Sequence, residues 1–97
     1  MMDRARTLKL LREHMPTLTD EYGVRSLALF GSMSRDEARD DSDIDILVSF
    51  DGPATSARYF GAQFYLEDLL GHAVDLVTDK ALRPELKVYV EREALSV

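Results

Sequence analysis

The residues most able to do chemistry are two aspartates that alternate with isoleucines in one apolar segment. Residues 41–48 read Asp-Ser-Asp-Ile-Asp-Ile-Leu-Val, so that Ile44 stands between Asp43 and Asp45. Successive side chains of a β-strand point to opposite faces, which predicts both carboxylates on one face. Two carboxylates roughly 5 Å apart repel by about 3 kcal/mol at an effective dielectric constant of about 20. A divalent cation offsets that repulsion, so the pair predicts a site for a hard metal ion.

A third aspartate occurs in another apolar segment. Asp75 lies between Val74 and Leu76, where a buried charge has no role in packing. If this segment forms the neighbouring strand, Asp75 faces the same crevice as Asp43 and Asp45. Three carboxylates supply the oxygen ligands that Mg²⁺ prefers. Two such ions about 3.5–4 Å apart can activate an attacking hydroxyl and stabilise a leaving oxygen.

A Gly-Ser pair precedes the aspartates and is suited to binding phosphate. Gly31 lets the backbone approach an anion closely, and the amides at the start of a following helix point toward it. The hydroxyl of Ser32 can donate to a phosphate oxygen. Arg35 and Arg39 are near enough in the sequence to assist.

Other motifs with similar letters fit less well. An EF-hand loop would carry glycine where this chain has Ile46, and the apolar Ile44 and Ile46 suit a strand better than a calcium loop. The Gly-Ser turn lacks the lysine of a P-loop. The spacing also differs from that of a nucleophile elbow. His14 and His72 each stand alone and are interpreted as structural or solvated. The combination of the turn, the paired acids and the third acid therefore carries the hypothesis.

The elements that must position these residues follow from periodicity and from capping residues. Asp3 is a plausible cap for a first helix that runs to about His14, where Pro16 should interrupt it before a short turn ends at Tyr22. The pattern predicts strands over residues 24–30, 43–50 and 73–78, and helices over residues 33–38, 56–70 and from Pro84 through Leu95. This order predicts an α+β fold with two layers, in which helices pack on a small mixed sheet of three to four strands.

Composition bounds the class of protein. The 97 residues suffice for one domain, residues 1–97, and they include no cysteine, which excludes disulfides and thiolate metal sites. No apolar run approaches the roughly 20 residues of a membrane span, and the first residues lack the apolar core of a signal peptide. We therefore expect a cytoplasmic protein without a membrane contact.

The charge is spread unevenly along the chain. Of the net charge of −6, residues 1–35 contribute +2 and residues 36–97 contribute −8. Direct binding along nucleic acid needs clustered lysine and arginine, so we do not expect it. The acidic part instead favours divalent cations and a basic protein partner.

Together these motifs resemble those of the minimal nucleotidyltransferases (MNT) of the DNA polymerase beta-like superfamily. The likeness rests on Leu-Phe-Gly-Ser ending at Ser32, on Ser-Asp-Ile-Asp-Ile-Leu-Val over residues 42–48, and on Val-Asp-Leu-Val over residues 74–77. It implies a polymerase beta-like nucleotidyltransferase fold. It further implies that Asp43 and Asp45 bind two Mg²⁺ ions. Asp75 would complete one metal site and help to deprotonate the acceptor.

The resemblance also implies a nucleotide site and a partner. Gly31 and Ser32 would hold the triphosphate of ATP, with Arg35 assisting. Short chains of this kind look like antitoxins of HEPN-domain ribonuclease toxins, and some are thought to transfer AMP to a toxin tyrosine. The alternative is an antitoxin that masks its toxin without chemistry. Either a homo-oligomer or a hetero-oligomer is compatible with these features.

Two positions depart from the family pattern. Members often carry arginine directly after Gly-Ser and glycine after the arginine that matches Arg35, whereas this chain has Met33 and Asp36 there. One cation is lost and one anion gained near the expected phosphates. We therefore expect weaker nucleotide binding, while the three aspartates still favour an active enzyme.

Overall fold

The fold is a four-stranded mixed sheet with helices packed on it, as the sequence predicts. A computed structural model describes residues 3–39 and 41–97. Strand order is β3-β2-β1-β4, with β1 antiparallel to β2 and β4, and β2 parallel to β3. In chain order the elements are α1 (Arg4–Tyr22), β1 (Val24–Phe30), α2 (Gly31–Ser34), β2 (Ile44–Phe50), α3 (Ser56–Leu70), β3 (Val74–Thr78), a 3₁₀ turn (Asp79–Ala81), α4 (Pro84–Glu93) and β4 (Leu95–Ser96).

The core lies where the sheet meets α1 and α3. Ile44, Ile46 and Val48 alternate along β2 and are almost completely buried, as expected for one face of a strand. Leu11 and Leu66 bring the two helices onto that face and are fully buried. Burying each such side chain contributes about 1.5–3 kcal/mol. The other positions of β2 are therefore left for the opposite face, and Asp45 occupies one of them.

The first helix does not break at Pro16, contrary to the sequence prediction. Proline removes one intrahelical hydrogen bond and its ring crowds the preceding turn. Helix α1 nevertheless runs from Arg4 to Tyr22 with Pro16 inside it. Leu11 and Leu18 are two turns apart, and both are completely buried. Tertiary packing on each side of the proline thus outweighs its local cost.

Both ends of α1 follow the capping residues. The Asp3 carboxylate accepts a hydrogen bond from the Arg6 amide at 2.8 Å, as an N-cap should. Gly23 adopts a left-handed φ of 70°, which ends the helix and turns the chain into β1.

Two shorter elements differ from the prediction. Helix α2 starts at Gly31 and ends at Ser34, instead of spanning residues 33–38, because Asp36 adopts a left-handed φ of 59° that a helix does not allow. The final helix ends at Glu93, and Leu95 belongs to β4, where it pairs with Leu29. No helix in the described part of the chain is both long and apolar enough to cross a bilayer.

Candidate active site

The two central acids meet because β2 and β3 are neighbouring parallel strands. Asp45 and Asp75 are direct register partners, and Ile44 and Val74 occupy the preceding pair. Since side chains alternate along each strand, the carboxylates lie on the face opposite the buried Ile44 and Val74. This confirms the predicted adjacency. Asp75 itself is exposed, however, and is not the buried acid that its apolar neighbours indicated.

Asp43 lies directly before the first residue of β2. It is exposed, and the strand starts at Ile44. Its charge is close enough to Asp45 to raise the pKa of that carboxyl. Among residues 3–39 and 41–97, no three acidic or histidine side chains already form a cluster placed to hold a metal ion.

The carboxyl of Asp45 has the most perturbed environment of the three. Its pKa is raised, first by partial burial, then by the charges of Asp75 and Asp43, and also by a hydrogen bond with Asp75. The charge of Arg35 acts in the opposite direction. The fold thus holds an acid where its ionised form is unfavourable, and a nearby cation would reverse this effect.

This donor set fits a hard divalent cation such as Mg²⁺. Asp45 and Asp75 offer carboxylate oxygens from adjacent strands, and Asp43 offers a third group from the loop before them. Mg²⁺ is commonly bound by one or two carboxylates together with water and substrate phosphates. Two paired acids with an exposed third therefore match its requirements without an enclosed cage of protein ligands.

Gly31 is packed directly against Asp45. It has a left-handed φ of 67°, and a Cβ added to it would lie 2.1 Å from Oδ2 of Asp45. Only glycine combines that backbone conformation with such a close approach. Gly31 and Asp45, fourteen residues apart in the sequence, therefore belong to one continuous surface.

Ser32 and Arg35 lie on the short segment that follows Gly31. Ser32 is half-buried, and its carbonyl accepts the amide of Arg35 at 3.2 Å. The Arg35 guanidinium donates through Nε to Glu37 at 3.1 Å and through Nη1 to Glu93 at 3.0 Å. Both carboxylates raise the pKa of Arg35. Glu93, at the end of α4, was not identified from the sequence, because no periodic signal links residues so distant.

The two residues that depart from the family pattern have partners other than the acidic pair. Met33 is buried in the core, where its sulfur accepts the Thr7 hydroxyl at 3.7 Å. Asp36 points to the start of α1, and its Oδ1 accepts the Arg4 amide at 3.2 Å. An acid at a helix N-terminus is favourable, because the free amides there carry partial positive charge. Both residues thus have structural partners of their own.

The chain is similar to several known proteins. The family model for the nucleotidyltransferase domain matches residues 11–97. The protein adenylyltransferase MntA of Thermococcus cleftensis is 40% identical over 88 residues, which cover 91% of this chain and 89% of that one.

Two solved structures extend the likeness to three dimensions. A protein assigned as a minimal nucleotidyltransferase superposes with a TM-score of 0.83 at 40% identity, covering 99% of this chain and 97% of that one. The second is the structure of a tri-AMPylated HEPN toxin of Shewanella oneidensis in complex with an MNT antitoxin. A chain of this complex matches with a TM-score of 0.59 at 25% identity, and the match covers 96% of the present chain and 66% of the chain in the complex.

Proposed function

The chain belongs to the nucleotidyltransferase domain family, and from that premise we propose that it is an antitoxin that adenylylates its toxin. The proposed reaction transfers AMP from ATP to a hydroxyl group, a tyrosine, of a partner HEPN ribonuclease toxin. The observation that carries the proposal is the register pair of Asp45 and Asp75 packed against Gly31. ATP as substrate is consistent with a reaction in the cytoplasm.

In the proposed reaction the acceptor oxygen attacks the α-phosphorus of ATP. The bond from that phosphorus to the bridging oxygen breaks, and pyrophosphate leaves with the electron pair. Asp75 is exposed on the open face of the sheet, where it can orient the acceptor hydroxyl and take its proton. Gly31 and Ser32 hold the β- and γ-phosphates, and this fixes the leaving group opposite the acceptor.

Asp43 and Asp45 would hold Mg²⁺ together with Asp75. When bound, the ions supply positive charge for the phosphate oxygens. The raised pKa of Asp45 supports this assignment, since a cation beside it would favour the ionised carboxylate. Arg35 is a further phosphate contact, which requires that its guanidinium leave Glu37 or Glu93.

Two features support a macromolecular acceptor. A domain of 97 residues leaves little room for a dedicated acceptor pocket. The acidic charge of residues 36–97 also suits docking to a protein that binds RNA and is therefore basic. A solved relative of this fold has an AMPylated HEPN toxin as its partner.

The test is co-expression with the HEPN toxin of the native host, followed by intact-mass measurement of the toxin. The wild-type protein should add AMP, and Asp43→Asn and Asp45→Asn should abolish the addition. Asp41→Asn is the matched control, because Asp41 is an exposed acid of the same loop that lies outside β2. An unmodified toxin with the wild-type protein would contradict the proposal. If the acid variants still neutralised the toxin, the masking antitoxin would be the correct alternative.

A further inference from the structure

The outer edge of β3 is bonded by side chains of α3. Of the strands that the structure describes, only β2 pairs with β3, so the other edge of β3 would present free backbone groups to solvent. The amide of Val74 donates to Oε2 of Glu67 at 3.0 Å, and its carbonyl accepts from Nε2 of Gln63 at 3.1 Å. The Tyr59 hydroxyl donates to the carbonyl of Leu76. Three side chains thus replace a missing neighbouring strand.

The spacing of these residues is what such a role requires. Tyr59, Gln63 and Glu67 are four residues apart and form one stripe along α3. Four residues of helix rise by about 6 Å, and two residues of strand rise by about 6.6 Å. The steps match for Tyr59 and Gln63, which reach Leu76 and Val74, whereas Glu67, one turn further along α3, bonds the amide of the same Val74. The stripe contacts Leu76 and Val74 in that order, with helix and strand running in opposite directions.

The residue between the two bonded positions is Asp75. Its neighbours Val74 and Leu76 are fixed from the outside by α3, while Asp75 itself pairs with Asp45 on the inside. Repulsion between these two carboxylates pushes Asp75, on an edge strand, away from β2. Backbone bonds on both sides of Asp75 resist that movement.

We propose that Tyr59, Gln63 and Glu67 are positioning residues that hold the Asp75 carboxylate beside Asp45. The proposal rests on the function proposed above, in which Asp75 serves the acceptor and the metal. The stripe acts only through the backbone of β3, and its three side chains are half-buried on α3. Loss of one contact should therefore loosen Asp75 without changing the phosphate-binding turn at Gly31.

Two isosteric exchanges separate this role from general packing. Glu67 must accept a hydrogen bond, and glutamine retains an acceptor, so Glu67→Gln should preserve the contact. Gln63 must donate, and an ionised glutamate has no donor, so Gln63→Glu should break it and set a charge against the Val74 carbonyl. Gln63→Leu and Glu67→Leu remove the contacts without adding charge. Asp68→Asn is the control for lost charge, because Asp68 is an exposed neighbour on α3.

The first measurements use the metal-free protein and Mg²⁺ alone. Amide hydrogen exchange at Val74 and Asp75 should accelerate about fivefold to tenfold in Gln63→Glu, Gln63→Leu and Glu67→Leu, as expected for one lost hydrogen bond. Calorimetric titration should show Mg²⁺ affinity lowered by a similar factor in the same variants. Glu67→Gln and Asp68→Asn should stay within about twofold of the wild type, the usual limit for a neutral surface change.

Kinetic measurements then distinguish a positioning role of the three side chains from a general effect on stability. In the contact-breaking variants kcat should fall about tenfold while KM for ATP changes by less than about twofold, since only the acceptor side is displaced. A lowered Tm with unchanged exchange at Asp75, unchanged Mg²⁺ affinity and unchanged kcat would overturn the proposal. If the wild-type protein binds Mg²⁺ but transfers no AMP, the proposed function fails, and the exchange and titration results still decide the positioning role.

Discussion

Replacing Asp45 with asparagine should stabilise the metal-free protein. Asp45 and Asp75 are register partners on strands about 4.8 Å apart, a spacing at which two charges repel by about 0.9 kcal/mol in water and about 3.5 kcal/mol at an effective dielectric constant of 20. Asp45 is half-buried and Asp75 is exposed, so screening by solvent is substantial. We expect a gain of about 1 kcal/mol, which raises Tm by about 4–8 °C in a domain of this size.

The stability that Asp45→Asn gains over the wild type should depend on pH. The fold raises the pKa of Asp45, first through burial and then through the charges of Asp75 and Asp43. Between the ordinary carboxyl pKa and this raised value, the native state binds more protons than the unfolded state. The stability of the wild type therefore falls as pH rises through that window. The advantage of Asp45→Asn should be full above the raised pKa and shrink as pH falls to the ordinary value.

The assay is thermal unfolding, followed by circular dichroism, with and without Mg²⁺. Without metal, the variant should melt above the wild type at pH 7, and the two curves should converge in acid. With Mg²⁺, the wild type should gain stability by binding and the variant should not. Asp41→Asn, which changes an exposed acid of the loop, should melt like the wild type both without and with Mg²⁺. A lower metal-free Tm for Asp45→Asn would refute the reasoning, because it would give Asp45 a stabilising hydrogen-bonding role.

Three further substitutions, together with one control, test the surroundings of the acidic pair. Gly71→Ala should cost about 1–2 kcal/mol of unfolding free energy for a left-handed alanine whose Cβ meets no other atom. Gly31→Ala should cost more, because its Cβ also meets Asp45, and only this variant should abolish calorimetric Mg²⁺ binding; loss of binding in both would contradict this. Glu93→Gln should tighten ATP binding by about twofold to threefold at low salt, an effect that high salt removes, because it frees a guanidinium from an exposed ion pair. Asp36→Asn should leave ATP affinity within about twofold, and a larger gain would show that its charge reaches the phosphates.

The sequence predicted the part of the site that depends on strand periodicity. Alternation fixed which residues of β2 face the core, and a single apolar segment around Asp75 indicated the neighbouring strand. The same reasoning was wrong about the exposure of Asp75, since a strand at the edge of a sheet exposes what a central strand would bury. Whether a strand is central is a property of the whole sheet, and local sequence does not contain it.

The elements that were predicted wrongly depend on long-range contacts. Pro16 is a valid signal for a helix break, but the burial of Leu11 and Leu18 on either side of it is a tertiary effect. The expectation that Asp36 places an anion near the phosphates stays a prediction. The left-handed backbone of Asp36 directs its carboxylate to the start of α1, a contact that the sequence did not indicate.

The contact between Asp36 and the Arg4 amide also bears on how Met33 and Asp36, the two departures from the family pattern, should affect nucleotide binding. Met33 is fixed by the core and Asp36 by α1, so we expect neither to compete for the phosphate that is proposed to bind at the Gly31 turn. The competing anions are Glu37 and Glu93, which already hold the guanidinium of Arg35. Because both ion pairs are exposed, each is weak and is exchanged readily for the higher charge of a triphosphate. If the chain binds a nucleotide as proposed, we therefore expect its affinity to depend less on Met33 and Asp36 than on Glu93 in the last turn of α4.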